Sequence, residues 1–391
     1  MSLVRPLKVL HCITDLPAHG AQRMLLKLIE GLDSSAFENH VVSLVPGGTL
    51  TQEFLEKGIP LCDLGMKRGV PTLSALLQLR KIIKEFQPDI IQGWLYHGNL
   101  VASLAALISG NKVPVVWNIR RALYGLGDDK WLTRNVIRAG AWLSWHPKLI
   151  LHNAEVSVQQ HVDFGYAEGK HAVISNCFRT DQFKPDAEAR LNIRTELGIA
   201  ADETLVGIVG RFHPQKDYRN FCQAAASVAL QGAPVQFVMV GDNVVPENAT
   251  IRMWLSDAFG DAASDYLKRF HMLGPRDDIP AIMASIDVYC SSSANEGFPN
   301  VVGEAMSCGV PCVVTDAGAT GELVHGVGAV VARKDSKALS RALLDFVVKE
   351  PLERQSIGRS ARERVLEHYS LEAIAQQYIS CYRTLVAEQV S

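Results

Sequence analysis

The sequence predicts an α/β protein with two parallel sheets, one after the other. Three observations carry this. Short apolar runs alternate with stretches of helical period through residues 1–176. A polar connector containing Pro185 follows at Phe178–Ala189. The alternation then restarts and ends in a helical tail. The domain boundary is expected in the connector, giving 1–186 and 187–369, with a last helical stretch over about 370–391.

Length and composition agree. A chain of 391 residues has room for two cores. Apolar residues make up 48% and charged residues 20%, as in soluble globular proteins. The net charge of −2 argues against non-specific nucleic-acid binding. Residues 1–186 carry 20 Lys+Arg and 16 Asp+Glu, or +4; the remaining 19 and 25 give −6. The eight cysteines form no C-x-x-C pair and no metal-ligand spacing with histidine. This reads as a reduced, cytosolic chain, with Cys308 and Cys312 as small core residues. No signal peptide is expected, and no apolar run approaches spanning length. Met1-Ser2-Leu3 reads as an expression remnant.

Leu7–Thr14 is the first buried strand. His19-Gly20-Ala21 follows, then an amphipathic helix through Leu25, Leu28, Ile29 and Leu32. Strand, glycine turn and helix suit a phosphate, but without G-x-G-x-x-G a glycine serving only a tight turn fits equally well. Further strands are expected at Asn39–Val45, Pro60–Leu64, Asp89–Leu95, Val113–Ile119, Leu149–Asn153 and Ala172–Asn176, mostly with helices between. His97 stands just past the carboxyl end of one strand, at the start of a helix. Such a histidine is commonly structural; its place on the ligand edge makes it a candidate. Leu100–Ser109 is the most apolar helix and has the length of a buried one.

Trp117–Lys148 mixes Arg120, Arg121, Lys130, Arg134 and Arg138 with Trp117, Tyr124, Trp131, Trp142 and Trp145. A basic and aromatic helix can lie on an anionic membrane surface. A solvated helix with a core face fits the pattern as well.

In the second half, Thr204–Val209 opens into Gly210-Arg211-Phe212-His213-Pro214-Gln215-Lys216. Gln236–Val240 ends in Gly241-Asp242-Asn243, and Phe270–Leu273 in Gly274-Pro275-Arg276-Asp277-Asp278. Val288–Cys290 leads through Ser291–Ser293 into Asn295-Glu296-Gly297-Phe298-Pro299-Asn300-Val301. All four loops fall on one sheet edge, as a shared site requires. Pro299 suits a first helical position, and Val301, Val302, Ala305 and Met306 recur at helical spacing. Gly309 and Pro311 stop the helix before the strand Pro311–Thr315.

That helix points its N-terminus out of the carboxyl edge, where free N–H groups and the dipole suit an anion. Glu296 precedes it and Glu304 lies one turn inside. Carboxylates beside a phosphate make sense when each accepts hydrogen bonds from hydroxyls. A nucleotide sugar has that layout. Arg211 and Lys216 match a diphosphate's two charges, although an Arg and a Lys five apart are commonly plain surface charges. The tail is helical from about Asp335, with one apolar face at Leu352, Ile357, Ala361 and Val365 and another at Ile374, Tyr378 and Tyr382.

The segment Gly210–Lys216, then Glu296-Gly297-Phe298-Pro299, Glu304-Ala305-Met306 and Pro311–Asp316, resembles glycosyltransferase family 4 in order and spacing. The resemblance runs over nearly the whole chain, specific in the C-terminal motifs and loose in the N-terminal ones. It implies the GT-B fold: two Rossmann-like domains facing each other across a cleft, the last helix crossing back to the first domain. By this likeness Arg211 and Lys216 hold the donor diphosphate, and Glu296 with Gly297 and Phe298 contacts the donor sugar. Pro299 leads to the Asn300 and Val301 amides, which meet the phosphate. Glu304 takes the ribose hydroxyls. His97 faces the sugar, while Gly20 and Gly210 belong to the glycine turns near the phosphates. Arg276 and Asp278 lie near the base. Asn176-Cys177-Phe178 departs from the family's Asn-Gly, a change expected to affect the hinge and not the donor groups.

The expected reaction is a retaining sugar transfer from a nucleotide diphosphate donor to an acceptor hydroxyl, without cofactor or metal. No D-x-D occurs, and no second carboxylate is placed as acid/base partner for Glu296. Acceptors are expected to be sugars or lipid-linked sugars, and peripheral contact with the anionic inner membrane face is an expected partner interaction. Two rivals are a nucleotide-sugar epimerase on the same fold and a non-catalytic nucleotide-sugar-binding protein. The second predicts loss of charged donor groups, whereas all are present. The missing G-x-G-x-x-G disfavours an NAD dehydrogenase.

Overall fold

The computed structural model describes residues 5–67, 72–110, 112–127 and 130–390; Met1-Ser2-Leu3 lies outside them. The chain forms two compact units: Met1–Cys177 with Leu371–Ser391, and Phe178–Ser370.

The first unit holds β1 (Leu7–Ile13), β2 (Phe37–Ser43), β3 (Leu61–Asp63), β4 (Ile90–Trp94), β5 (Val115–Ile119), β6 (Leu149–His152) and β7 (His171–Val173). They form one parallel sheet in the order β3-β2-β1-β4-β5-β6-β7. Side chains alternate along each strand, and both faces are covered. Leu7, Val9 and Ile13 enter one core, Leu10 and Cys12 the other. This is why the strands read as near-continuous apolar runs.

The last helix, Leu371–Val390, closes one face of this unit with Ile374, Tyr378 and Tyr382. Its tyrosines are also hydrogen-bonded to the sheet. The Tyr378 hydroxyl accepts from Asn118 Nδ2 at 2.9 Å and from Arg120 at 3.0 Å. Tyr382 donates to Gln92 Oε1.

The second unit holds β8 (Thr204–Val209), β9 (Val235–Val240), β10 (Phe270–Met272), β11 (Val288–Ser291), β12 (Cys312–Thr315) and β13 (Gly328–Val331). The sheet is parallel, ordered β10-β9-β8-β11-β12-β13. Strand β13 is absent from the sequence expectation. It is a four-residue edge strand with Val330 43% exposed, so it gives no buried apolar run.

One further expectation is corrected, and two regions are defined more closely. Leu352, assigned to an apolar face, is 77% exposed, whereas Ala361 and Val365 on the same helix are buried. The connector belongs to the second unit from Phe178 on. Phe178 is buried against Phe298 and Tyr369, and Arg362 donates to the carbonyls of Phe183 and Thr180. Within the basic and aromatic stretch, Trp117 and Arg120 are core residues. Trp117 donates to Ser103 Oγ at 2.9 Å. Arg120 donates to the Ile174 carbonyl and to Tyr378 and lies beside the Trp94 ring.

The rest of that stretch is exposed. Trp131 and Trp142 are 74% and 78% exposed, and they share a face of the helix Trp131–Leu143 with exposed Arg138. Trp145 and Tyr124 are exposed nearby. Among the described residues no helix is long and apolar enough to cross a membrane.

Candidate functional site

The second sheet reverses its winding between β8 and β11. In an open parallel sheet the loops leaving the carboxyl ends of two such strands splay apart and leave a crevice. The two strongest sequence motifs sit on these loops. Gly210–Lys216 leaves β8, and Ser292–Pro299 leaves β11.

Hydrogen bonds join the two loops. The Ala294 amide donates to the Gln215 carbonyl at 2.8 Å, and Ser292 Oγ to the Lys216 carbonyl at 2.7 Å. Lys216 Nζ then meets Glu296 Oε1 at 2.5 Å, with Ser293 Oγ donating to the same oxygen at 2.8 Å. Residues 80 apart in sequence thus share one ion pair. Lys216 and Glu296 are 21% and 14% exposed in their side chains, so the pair is only partly screened by water. Arg211 is exposed on the same loop and has no ion pair among the described residues.

Groups outside the set of candidate donor residues hold this arrangement. Gly241 takes φ +152, and a Cβ there would strike the Gly210 carbonyl. Gly318, at φ +63, lies equally close to the Glu296 carbonyl. Tyr218 donates to Gly210 O, Thr315 Oγ1 to Ser293 O at 2.6 Å, and Arg333 to Ala294 O at 3.3 Å. The turn glycines Gly241 and Gly318 were the only signal available in the sequence.

The helix beyond the loop spans Asn300–Ser307, with Pro299 at its cap position and not its first turn. The Asn300 amide donates to the Phe298 carbonyl at 3.1 Å and is therefore turned into the loop. Among the described residues the Val301 amide meets no acceptor, which leaves it as the better anion donor of the two. Gly297 accepts from the Ala319 amide at 3.3 Å. Glu304 is half-buried on the same helix.

Arg276 is occupied by protein. It pairs with Asp278 at 2.7 Å and with Glu196 at 2.7 Å. Hydrogen bonding to these carboxylates raises its pKa and lowers that of Asp278. Both residues therefore brace the loop after β10. In the first unit His97 is half-buried at the start of the helix Leu95–Ser109, just past β4. Burial lowers its pKa, opposed by Asp15, so the ring is neutral near pH 7. Gly20 is the exposed first residue of the helix Gly20–Gly31 after β1. Both stand at the carboxyl edge of the first sheet.

Phe178 overturns one expectation. It stacks on Phe298 with centroids 6.0 Å apart, so the departure at Asn176-Cys177-Phe178 touches a residue that the resemblance places against the donor sugar. Among the described residues no group of three or more His, Cys, Asp or Glu is arranged to hold a metal ion.

Two family models match this chain. Glycosyltransferase Family 4 covers residues 18–182, and Glycosyl transferases group 1 covers residues 203–348. The chain belongs to the family 4, group 1 glycosyltransferases. This glycosyltransferase is 25% identical over 347 residues to the putative glycosyltransferase EpsF of Bacillus subtilis, covering 85% of each chain. It is 23% identical over 376 residues to an α-1,3-galactosyltransferase of Escherichia coli named for UDP-Gal and GlcNAc-diphosphoundecaprenol, covering 90% of each. Among solved structures, Anabaena HepE in complex with UDP aligns with a TM-score of 0.79 at 21% identity, over 97% of this chain and 100% of that one. WaaG, involved in lipopolysaccharide biosynthesis, aligns at 0.64 and 16% identity over 95% and 98%. The two parallel-sheet units are those of the GT-B fold.

Proposed function

We propose that this glycosyltransferase moves a sugar from a nucleotide diphosphate donor to an acceptor hydroxyl with retention of configuration, in synthesis of a cell-surface polysaccharide or glycolipid. The observation that carries it is the joining of Lys216 and Glu296 at the winding reversal of the second sheet.

The ammonium of Lys216 has three N–H donors. One holds Glu296, and the others suit a phosphate oxygen beside it. Arg211 and the Val301 amide supply further positive charge. As the bond to the sugar breaks, charge grows on the leaving diphosphate, and these fixed donors stabilise it without reorganising. Glu296, held by Lys216 and Ser293, orients sugar hydroxyls, while Glu304 takes the ribose diol. Attack from the leaving-group side is guided by the phosphate itself.

The complexes of HepE with UDP and UDP-glucose support a nucleotide-sugar donor. Two relatives named for diphosphoundecaprenol-linked sugars support a lipid-linked acceptor. Acceptor binding is assigned to the first unit, where His97 and Gly20 stand at the carboxyl edge of the sheet. The exposed Trp131, Arg138, Trp142 face suits peripheral contact with an anionic membrane on the cytoplasmic side.

A panel of UDP-, GDP- and ADP-sugars, scored by donor hydrolysis and thermal shift, tests the reading. One donor should bind and be hydrolysed, and activity should survive EDTA because Arg211 and Lys216 carry the countercharge. Arg211→Ala should lower kcat more than donor affinity. Loss of activity in EDTA, restored by Mg2+, would overturn the charge assignment. Arg134→Glu/Arg138→Glu should abolish salt-sensitive binding to anionic vesicles and spare donor hydrolysis. Wild-type protein that ignores such vesicles at low salt would remove the membrane from this reading.

A further inference from the structure

The chain passes between the two units twice, after Cys177 and before Leu371. On the side of the second unit both passages meet at one residue. The Phe178 amide donates to the Tyr369 carbonyl at 2.9 Å, and Phe178 forms a parallel bridge with Ser370. A backbone pair of this kind makes the two strands of chain move together.

The Phe178 side chain is 1% exposed and lies in an aromatic cluster with Phe298 and Tyr369. Phe178 and Phe298 stack at 6.0 Å and 27°, and Phe298 and Tyr369 meet at 6.2 Å. Phe298 stands two residues after Glu296 and directly before Pro299, the cap of the helix Asn300–Ser307. The ring of Phe178 also rests on that helix. A Cβ at Gly303 would overlap it, so only glycine admits the ring beside Glu304. Further along, Arg362 donates to the carbonyls of Thr180, Phe183 and Ser307, which straps the connector along the rest of the helix.

The geometry points to Phe178 as a positioning residue that couples occupancy of the donor loop to both inter-unit passages. Phe298 cannot shift to follow a ligand at Glu296 without moving the Phe178 ring, because the cluster is buried and close-packed. The Phe178 backbone carries that movement to Ser370. The inference rests on the reading of Glu296–Val301 as the donor loop.

Hydrogen exchange separates the two ideas. Wild-type protein is measured with and without UDP, GDP or ADP, following segments 295–301, 176–180 and 368–371. The binding diphosphate should slow exchange in all three. Phe178→Leu keeps an apolar side chain of similar size but removes the ring. It should leave protection at 295–301, lose it at 176–180 and 368–371, and lower kcat/KM for the donor by about 2- to 12-fold, the range expected for one aromatic pair. Phe298→Leu, approached from the other side of the stack, should give the same loss at 176–180. Phe178→Tyr, which keeps the ring, should restore the coupling. Protection at 295–301 alone in wild-type protein overturns the coupling and leaves the donor site standing. No protection at 295–301 with any of the three nucleotides overturns the donor loop itself, and the coupling with it.

Discussion

Lys216→Ala should weaken nucleoside diphosphate binding by about 10- to 150-fold. The ammonium reaches toward the crevice between the loops after β8 and β11, with one donor on Glu296 at 2.5 Å. A hydrogen bond to a charged group contributes about 1.5–3 kcal/mol, which sets that range. The substitution has a second effect on folding, because it removes the cation beside a carboxylate only 14% exposed. That should cost about 1–3 kcal/mol of stability, less than for a fully buried pair. Glu296→Gln removes the charge that needs compensation. The double variant should therefore regain most of the stability and none of the nucleotide affinity. Titration calorimetry with the bound diphosphate and urea unfolding of all four proteins measure both. The stability effects should be non-additive by more than about 0.5 kcal/mol. Additive effects would mean that the ion pair is not formed in solution. Unchanged diphosphate affinity in Lys216→Ala would remove Lys216 from the phosphate.

Three further outcomes are expected. Glu304→Ala should weaken nucleotide binding by about 30- to 150-fold, from about 2–3 kcal/mol for a carboxylate on two hydroxyls, with little change in folding; equal affinity for the nucleoside diphosphate would take Glu304 out of the site. Tyr378→Phe removes the acceptor shared by Asn118 and buried Arg120, and should cost about 2–4 kcal/mol; a melting temperature equal to wild type would refute that role. Burial pushes His152 down to about 2 and His161 to about 4, from 6.5. Both are neutral in the fold, so below pH 6.5 the unfolded chain takes up more protons. Stability is full above that pH and should fall by roughly 1.4 kcal/mol per histidine per pH unit down to about pH 4. Thermal melts across this window check it, and His161→Gln should flatten the slope.

The alternation of strands and helices was legible because parallel strands covered on both faces are apolar at nearly every position. The carboxyl-edge loops were legible because their turns need glycine and their chemistry needs charge, as at Gly210–Lys216 and Glu296–Pro299. These are local requirements, and one sequence carries them. Edge strand β13 was not legible, since a half-exposed Gly-Ala-Val-Val lacks the burial that gives a strand its signal. Trp117 and Trp142 look alike in sequence, yet one is 1% and the other 78% exposed. Only packing against Ser103 and the neighbouring helix separates them. Lys216 with Glu296, Arg276 with Glu196, and Phe178 with Phe298 are pairs decided by which loops and helices the two sheets bring together. The residue types were fixed by local chemistry; their partners were fixed by strand order, a property of the folded chain and of no segment within it.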